Sequence, residues 1–125
     1  MIYLDTHVVV WLYAGLTAKL SDLARLLINK HELYISPIVR LELQYLYEIG
    51  RIADESDMIQ ADLFNKIGLR VCEKAFNLII GQALEINWTR DPFDRLIVGN
   101  ALVNGNILLT MDKNILANYK KAQWD

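Results

Sequence analysis

Four acidic residues, Asp5, Glu42, Asp94 and Asp112, come from four separate stretches of the chain, each beside a run of apolar residues. Asp5 closes the apolar start Ile2-Tyr3-Leu4, and Asp112 follows Ile107-Leu108-Leu109-Thr110 after one intervening methionine. Either carboxylate can cap the helix that follows, because its oxygen accepts the free N–H groups of a first turn. Capping and a chemical role stay equally open for these two. Glu42 is harder to explain. Ile38, Leu41, Tyr45 and Ile49 recur at helical spacing and are expected to form a core-facing stripe, with Glu42 inside it. A carboxylate on such a stripe needs a partner, either a nearby Lys or Arg or something else, because an unpaired buried charge is very costly. Asp94 repeats the pattern on a helix expected to bury Phe93, Ile97, Val98 and Ala101. Asp91, next to Pro92, is the better cap there, and Arg95 could pair with it one turn on.

If the four carboxylates converge, they repel one another, raise each other's pKa and destabilise the fold. Hard divalent cations relieve that repulsion. Mg²⁺ and Mn²⁺ take oxygen ligands, keep several waters and commonly bridge to phosphates. A set without His or Cys is not that of a typical zinc site, and Cys72 is the only cysteine, which excludes an internal disulfide. The chemistry that suits such a set is metal-assisted hydrolysis of a phosphoester, with water activated and the leaving oxygen steadied by the ion.

The elements that would bring the acids together can be read from hydropathy and caps. Ile2–Leu4, Leu33–Ser36, Leu69–Cys72, Ile107–Thr110 and the tail Lys121–Trp124 read as strands. Helices are expected from near Thr6, after Ser21, after Ser36-Pro37, from about Glu55 to Lys66, from about Lys74 to Leu84, after Asp91-Pro92 to near Gly105, and briefly after Asp112. Such alternation predicts an α/β fold: a three-layer α/β/α sandwich on a mostly parallel central sheet of four to five strands. Ligands of such sheets bind at the carboxyl ends of the strands. With 125 residues, 54% of them hydrophobic, the chain suits a single domain spanning 1–125.

No apolar run approaches the roughly 18 residues of a membrane span, and the first residues lack a basic signal-peptide start. A soluble, intracellular, complete chain in a reducing cytoplasm is expected, with no membrane partner. The net charge is −2, which argues against holding nucleic acid by basic surface alone. Setting the four acids aside leaves 11 acids against 13 lysines and arginines, a remainder of +2, so a nucleic-acid substrate is not excluded.

Five short motifs stand in a fixed order: Leu4-Asp5-Thr6-His7 with the apolar helix through Trp11, Ile35-Ser36-Pro37 leading to Glu42, Gly50-Arg51-Ile52, Arg90-Asp91-Pro92-Phe93-Asp94-Arg95, and Leu109-Thr110-Met111-Asp112. In that order and spacing, over nearly the whole chain, they resemble PIN-domain proteins, and most closely the toxin ribonucleases of VapC type. The resemblance implies a Mg²⁺- or Mn²⁺-dependent endoribonuclease acting on RNA, paired with a cognate antitoxin and often a homodimer, whose cut leaves a 5′ phosphate and a 3′ hydroxyl. It places the acidic quartet on Asp5, Glu42, Asp94 and Asp112, with Thr6 and Thr110 as supporting hydroxyls. Asp91 belongs to the same motif, and Arg95 would either touch phosphate or hold the motif together. The chain departs from the pattern at Thr89, where relatives often carry His, and at Asn100, where small residues are usual.

Other residues have plainer readings. His7 is expected to be structural or on the surface, and His31 to sit at a helix end. Cys72 reads as a core residue. Trp11, Tyr45 and Tyr47 could stack on bases, but Trp11 and Tyr45 are expected to pack instead. Apolar residues all round the first four helices, Leu43, Leu46 and Tyr47 among them, predict a face that dimerises or grips the antitoxin. The rival functions are a PIN-like module that binds without catalysis, a DNA or flap-type nuclease, and a phospho-receiver domain. A receiver would need an acid at the end of the third strand, where Val71-Cys72-Glu73 stands.

Overall fold

The computed structural model describes residues 1–125. The chain runs β1 (Ile2–Leu4), α1 (Thr6–Tyr13), a 3₁₀ turn (Thr17–Lys19), α2 (Asp22–Lys30), β2 (Leu33–Ile35), α3 (Pro37–Glu48), α4 (Ser56–Ile67), β3 (Arg70–Val71), α5 (Phe76–Leu84), α6 (Pro92–Leu102), β4 (Ile107–Leu109), α7 (Lys113–Asn118) and β5 (Ala122–Gln123). The five strands form one sheet in the order β3-β2-β1-β4-β5, and every pair is parallel. Ile2 stands opposite both Leu33 and Ile107. The three-layer α/β/α sandwich expected from the alternation is present, with a sheet that is wholly rather than mostly parallel.

The central strand explains the layering. Successive side chains of a strand point to opposite faces, and Ile2, Tyr3 and Leu4 are all buried. Both faces are therefore covered. From β1 the chain winds outward to β2 and β3, then returns past β1 to β4 and β5. Right-handed crossovers put helices of opposite winding direction on opposite faces. A single cluster of 25 buried residues runs through the sheet and its helices, and each large side chain fully buried there contributes about 1.5–3 kcal/mol.

Helix starts follow the capping chemistry. The Ser21 hydroxyl accepts from the Ala24 N–H at 3.0 Å, and that of Ser36 from the Ile38 N–H at 3.3 Å. Residues expected at strand ends, Ser36 and Thr110, are instead spent on caps and turns, so the strands are shorter than their apolar runs. At its other end α4 stops on Gly68, whose φ of 72° a side chain would resist.

The apolar stripe expected on α3 is overturned. Leu41, Tyr45 and Ile49 are 59%, 48% and 47% exposed, whereas Val39 and Leu43 are buried. The two sets are equally helical in spacing, and periodicity alone does not say which one meets the sheet. Glu42 therefore does not lie in a core-facing stripe; it is half-buried at the margin between the two sets.

Helices α5 and α6 approach closely at Gly99. A Cβ there would lie 3.0 Å from the Ile79 carbonyl oxygen and 3.1 Å from the Ala83 nitrogen. Both are backbone atoms and cannot swing aside. Gly99→Ala is expected to cost about 1–3 kcal/mol, seen as a lower denaturant midpoint at unchanged slope. Beside it, Asn100 is fully buried and its side-chain amide has no hydrogen-bond partner; nothing in the structure explains that choice.

Candidate active site

The winding direction reverses between β1 and β4, and a sheet of this kind opens a crevice outside the carboxyl ends at such a point. Asp5 lies there, its N–H donating to the Leu109 carbonyl at 3.0 Å, so it prolongs β1 alongside β4. It is only 8% exposed. It does cap α1, but only through Oδ1, which accepts from the Thr6 N–H at 2.8 Å; Oδ2 accepts from the Thr110 hydroxyl at 2.6 Å. Burial pushes its pKa above the usual carboxylate range, against the opposing pull of those two hydrogen bonds.

Asp112 also caps a helix through one oxygen. Oδ1 accepts from the N–H groups of Asn114 and Ile115 at 2.8 and 3.0 Å, which starts α7. Its own N–H donates to the Thr110 hydroxyl at 3.0 Å. Thr110, fully buried, thus links two acids whose positions are 107 residues apart. Capping and site formation are not alternatives here, because each uses a different atom.

From the flanking helices come Glu42 on α3 and Asp94 on α6. The buried Thr6 hydroxyl donates to Glu42 Oε1. Desolvation raises the Glu42 pKa, with the Thr6 hydrogen bond opposing. Asp94 is pushed up to about 7, first by burial and then by the charges of Asp91, Asp5, Asp112 and Glu42. Asp91 caps α6 as expected, accepting from the N–H groups of Phe93 and Asp94 at 2.8 and 3.4 Å.

These five acids line one cavity of about 350 Å³. None of them pairs with a lysine or arginine; the ion pairs of the molecule are Arg40–Asp57 and Lys66–Asp62. The expected Arg95–Asp91 pair is absent. Arg95 instead donates twice to the Ala83 carbonyl, at 3.2 and 3.1 Å, in the last turn of α5. That carbonyl also accepts from the Ile86 N–H at 3.2 Å, and a cation at the end of a helix is favoured by the helix dipole. Arg95→Ala is expected to lower stability by about 1–2 kcal/mol, with activity per folded molecule preserved; thermal denaturation and active-fraction titration separate the two effects.

The donor chemistry fits a hard divalent cation: oxygen ligands only, no lysine or arginine partner, and pKa values raised by burial and then by the neighbouring acids. As the side chains stand, no three His, Cys, Asp or Glu groups are close enough to hold an ion together. Mg²⁺ keeps several of its waters and needs only one or two direct carboxylates, so a cavity wider than the bare ion is compatible with it.

The remaining wall of the cavity is made by His7, Val8, Trp11 and Met111. Sequence reasoning set His7 aside as structural or surface; it is exposed and faces the acids. Trp11 packs edge-on against Trp124 at 5.7 Å, as expected, yet it also reaches the cavity. Met111 was missed, though its place between Thr110 and Asp112 was a signal. Tyr45, expected to pack, is half-exposed with its ring 6.1 Å from that of Phe93. A larger cavity of about 930 Å³, beside Tyr3, Tyr34 and Lys74, contains none of the five acids.

Residues 2–121 match the PIN domain family, and the chain belongs to that family; PIN domains are generally nucleases. Among solved structures it is similar to a chain of VapBC2 from Rickettsia felis, crystallised bound to a DNA fragment from their promoter. The two share 20% identity over 100% of both chains at a TM-score of 0.67, a likeness of fold. No curated protein matches the sequence significantly. No helix is long and apolar enough to cross a membrane.

Proposed function

We propose that this protein is a Mg²⁺- or Mn²⁺-dependent endoribonuclease, the toxin of a VapBC-type toxin–antitoxin pair. The observation that carries the reading is the cavity at the sheet switch point, which five acids line and where none of them pairs with a lysine or arginine. Ordinary stabilising roles do not account for it, since uncompensated carboxylates cost stability.

Asp5, Glu42, Asp94 and Asp112 would hold the ion. When bound, it lowers the pKa of a water and stabilises charge on the phosphate and the leaving 3′ oxygen. The protein's own groups prepare that event. Thr110 fixes Asp5 from one side while taking the Asp112 N–H, and Thr6 fixes Glu42. Such supporting hydrogen bonds orient ligands before the cation arrives. Burial and the neighbouring acids push the Asp94 pKa up to about 7, so in the metal-free protein it is protonated about half the time near neutral pH, and a bound cation would compete with that proton. Asp91 caps α6 and adds negative potential, and Arg95 fastens the start of α6 to α5.

The antitoxin partner is supported by the fold shared with VapBC2, and the homodimer by the exposed stripe Leu41, Tyr45 and Ile49. A contiguous apolar stripe on a surface helix marks an interaction site. Incubation with a panel of structured RNAs in Mg²⁺, Mn²⁺ or EDTA tests the reading. Cleavage is expected with either metal, none in EDTA, and none from an Asp5→Asn variant. Metal-independent cleavage, or full activity in the variant, overturns it; so does cleavage of DNA alone.

A further inference from the structure

One wall of the acidic cavity carries no acid, and its composition points to what lies beside the scissile phosphate. His7 and Trp11 stand one turn apart on α1, their ring centroids 6.4 Å apart at 51°. Met111, which precedes Asp112 in the chain, lines the same cavity and is 53% exposed. Trp11 is backed by Trp124 at 5.7 Å, and the exposed Lys19 places its ammonium 5.7 Å from the centroid of the Trp11 ring. Aromatic and thioether surface therefore lines the cavity together with the carboxylates, and a cation stands beside the Trp11 ring.

We propose that this wall is a subsite for one unpaired nucleotide next to the bond that is cut. Its base would lie on His7 and Met111 with Trp11 behind them, and its outer phosphate would meet Lys19. The proposal rests on the nuclease reading above and names the form of its substrate. Single strands are held by bases on aromatic faces and by cations along the backbone. A base inside a duplex has no free face to offer, so the subsite selects unpaired RNA, as in a loop or tail. Acids alone repel a polyanion even with one or two ions bound. A wall that takes the base supplies attraction without placing lysine among the metal ligands. Trp11 is fixed before substrate arrives by Trp124, which in turn is tied down through its carbonyl by the Ser21 hydroxyl.

The test separates binding from chemistry. Anisotropy of a fluorescein-labelled, random-sequence decaribonucleotide is measured in Mg²⁺ on an Asp94→Asn background, which leaves the wall intact. Met111→Ala and His7→Ala alter exposed side chains and are expected each to weaken binding about tenfold. Trp11→Phe should retain most of it, and a decamer of abasic residues should bind the Asp94→Asn protein as weakly as the ordinary decamer binds a protein that carries His7→Ala and Met111→Ala together on that background. A duplex of the same sequence should not compete. Undiminished binding in both alanine variants, equal competition by duplex, or no detectable binding overturns the subsite. Cleavage by the protein with Asp94 intact is followed in parallel. Base-dependent binding without Mg²⁺-dependent cleavage keeps the subsite and refutes the nuclease; Mg²⁺-dependent cleavage with equal KM in the variants does the reverse.

Discussion

Asp5→Asn is expected to lower Mg²⁺-dependent RNA cleavage by about a thousandfold, the scale on which loss of one preorganised charge-stabilising group acts. The substitution is nearly isosteric: it removes the charge of a residue buried at the junction of β1 and β4, the amide oxygen still accepts from the Thr6 N–H, and the new NH2 group donates to a rotated Thr110 hydroxyl in place of accepting from it. The fold should tolerate it. Burial already drives the Asp5 carboxyl toward its protonated form, so a neutral amide relieves a cost that the metal-free protein otherwise bears. Melting of the variant in EDTA is expected at or above the temperature of the parent, while the rise on adding Mg²⁺ shrinks. Thr110→Val, which takes away the hydroxyl shared by Asp5 and the Asp112 N–H, should fall between, with about ten- to a hundredfold less activity. Gel-based cleavage rates and thermal scans on the same preparations check both. An active Asp5→Asn protein would end the nuclease assignment, and an unfolded one would end the claim that the acid is there for chemistry.

The second large effect is a stability that rises as the metal-free protein is acidified. Asp94 has its pKa pushed from an ordinary 3.8 to about 7, and Asp5 and Glu42 are moved in the same direction. A carboxyl raised in the folded state binds its proton more tightly there than in the unfolded chain. Its contribution is full below the unfolded value and is lost as the pH climbs through the folded one. For Asp94 that window runs from 3.8 to about 7. Between pH 8 and pH 5 the unscreened difference is about 2.7 kcal/mol, from two units at about 1.36 kcal/mol each. Solvent screening at this partly exposed side chain reduces it to the order of 1–2 kcal/mol. In EDTA the protein should therefore melt about 3–8 °C higher at pH 5 than at pH 8. Mg²⁺ reverses the order, because the ion competes with protons and stabilises only the ionised site. Asp94→Asn flattens the metal-free profile. Thermal scans at two pH values, with and without Mg²⁺, read all of this, and a parent protein that melts lower at pH 5 in EDTA would contradict it.

These two results would also separate the rival functions. A scaffold that kept the fold and lost the chemistry gains no stability from Mg²⁺, whereas an ion that binds only the folded state must raise it. A phospho-receiver is disfavoured by the end of β3, where Val71 is followed by Cys72, a core residue 5% exposed whose sulfur accepts from the Tyr3 hydroxyl.

Much was legible in the order of residues because it depends on neighbours along the chain. Ser21, Ser36 and Asp91 announce their helices since a cap acts across two or three residues. The unbroken apolar runs Ile2–Leu4 and Ile107–Leu109 announce strands covered on both faces. Alternation of those elements set the class of fold, and through it the edge where ligands gather. The acids themselves were legible as a set only because several motifs held a common order.

What needed the tertiary structure was every choice between surfaces of equal periodicity. Val39 and Leu43, rather than Leu41, Tyr45 and Ile49, meet the core, although both sets recur at helical spacing. The docking of α3 on the sheet decides this, through contacts far away in sequence. Arg95 reaches the Ala83 carbonyl instead of Asp91 for a similar reason: the close approach of α5 at Gly99 brings that carbonyl, which also accepts from the Ile86 N–H at 3.2 Å, within its reach. The sequence by itself determined the type and order of the elements and the capped starts of the helices, because capping and burial periodicity are local forces, while the strand ends were set by the folded surroundings. Only the folded molecule decided that Thr110 spans Asp5 and Asp112 and that His7, Trp11 and Met111 face the acids, since burial and electrostatics depend on distance in space.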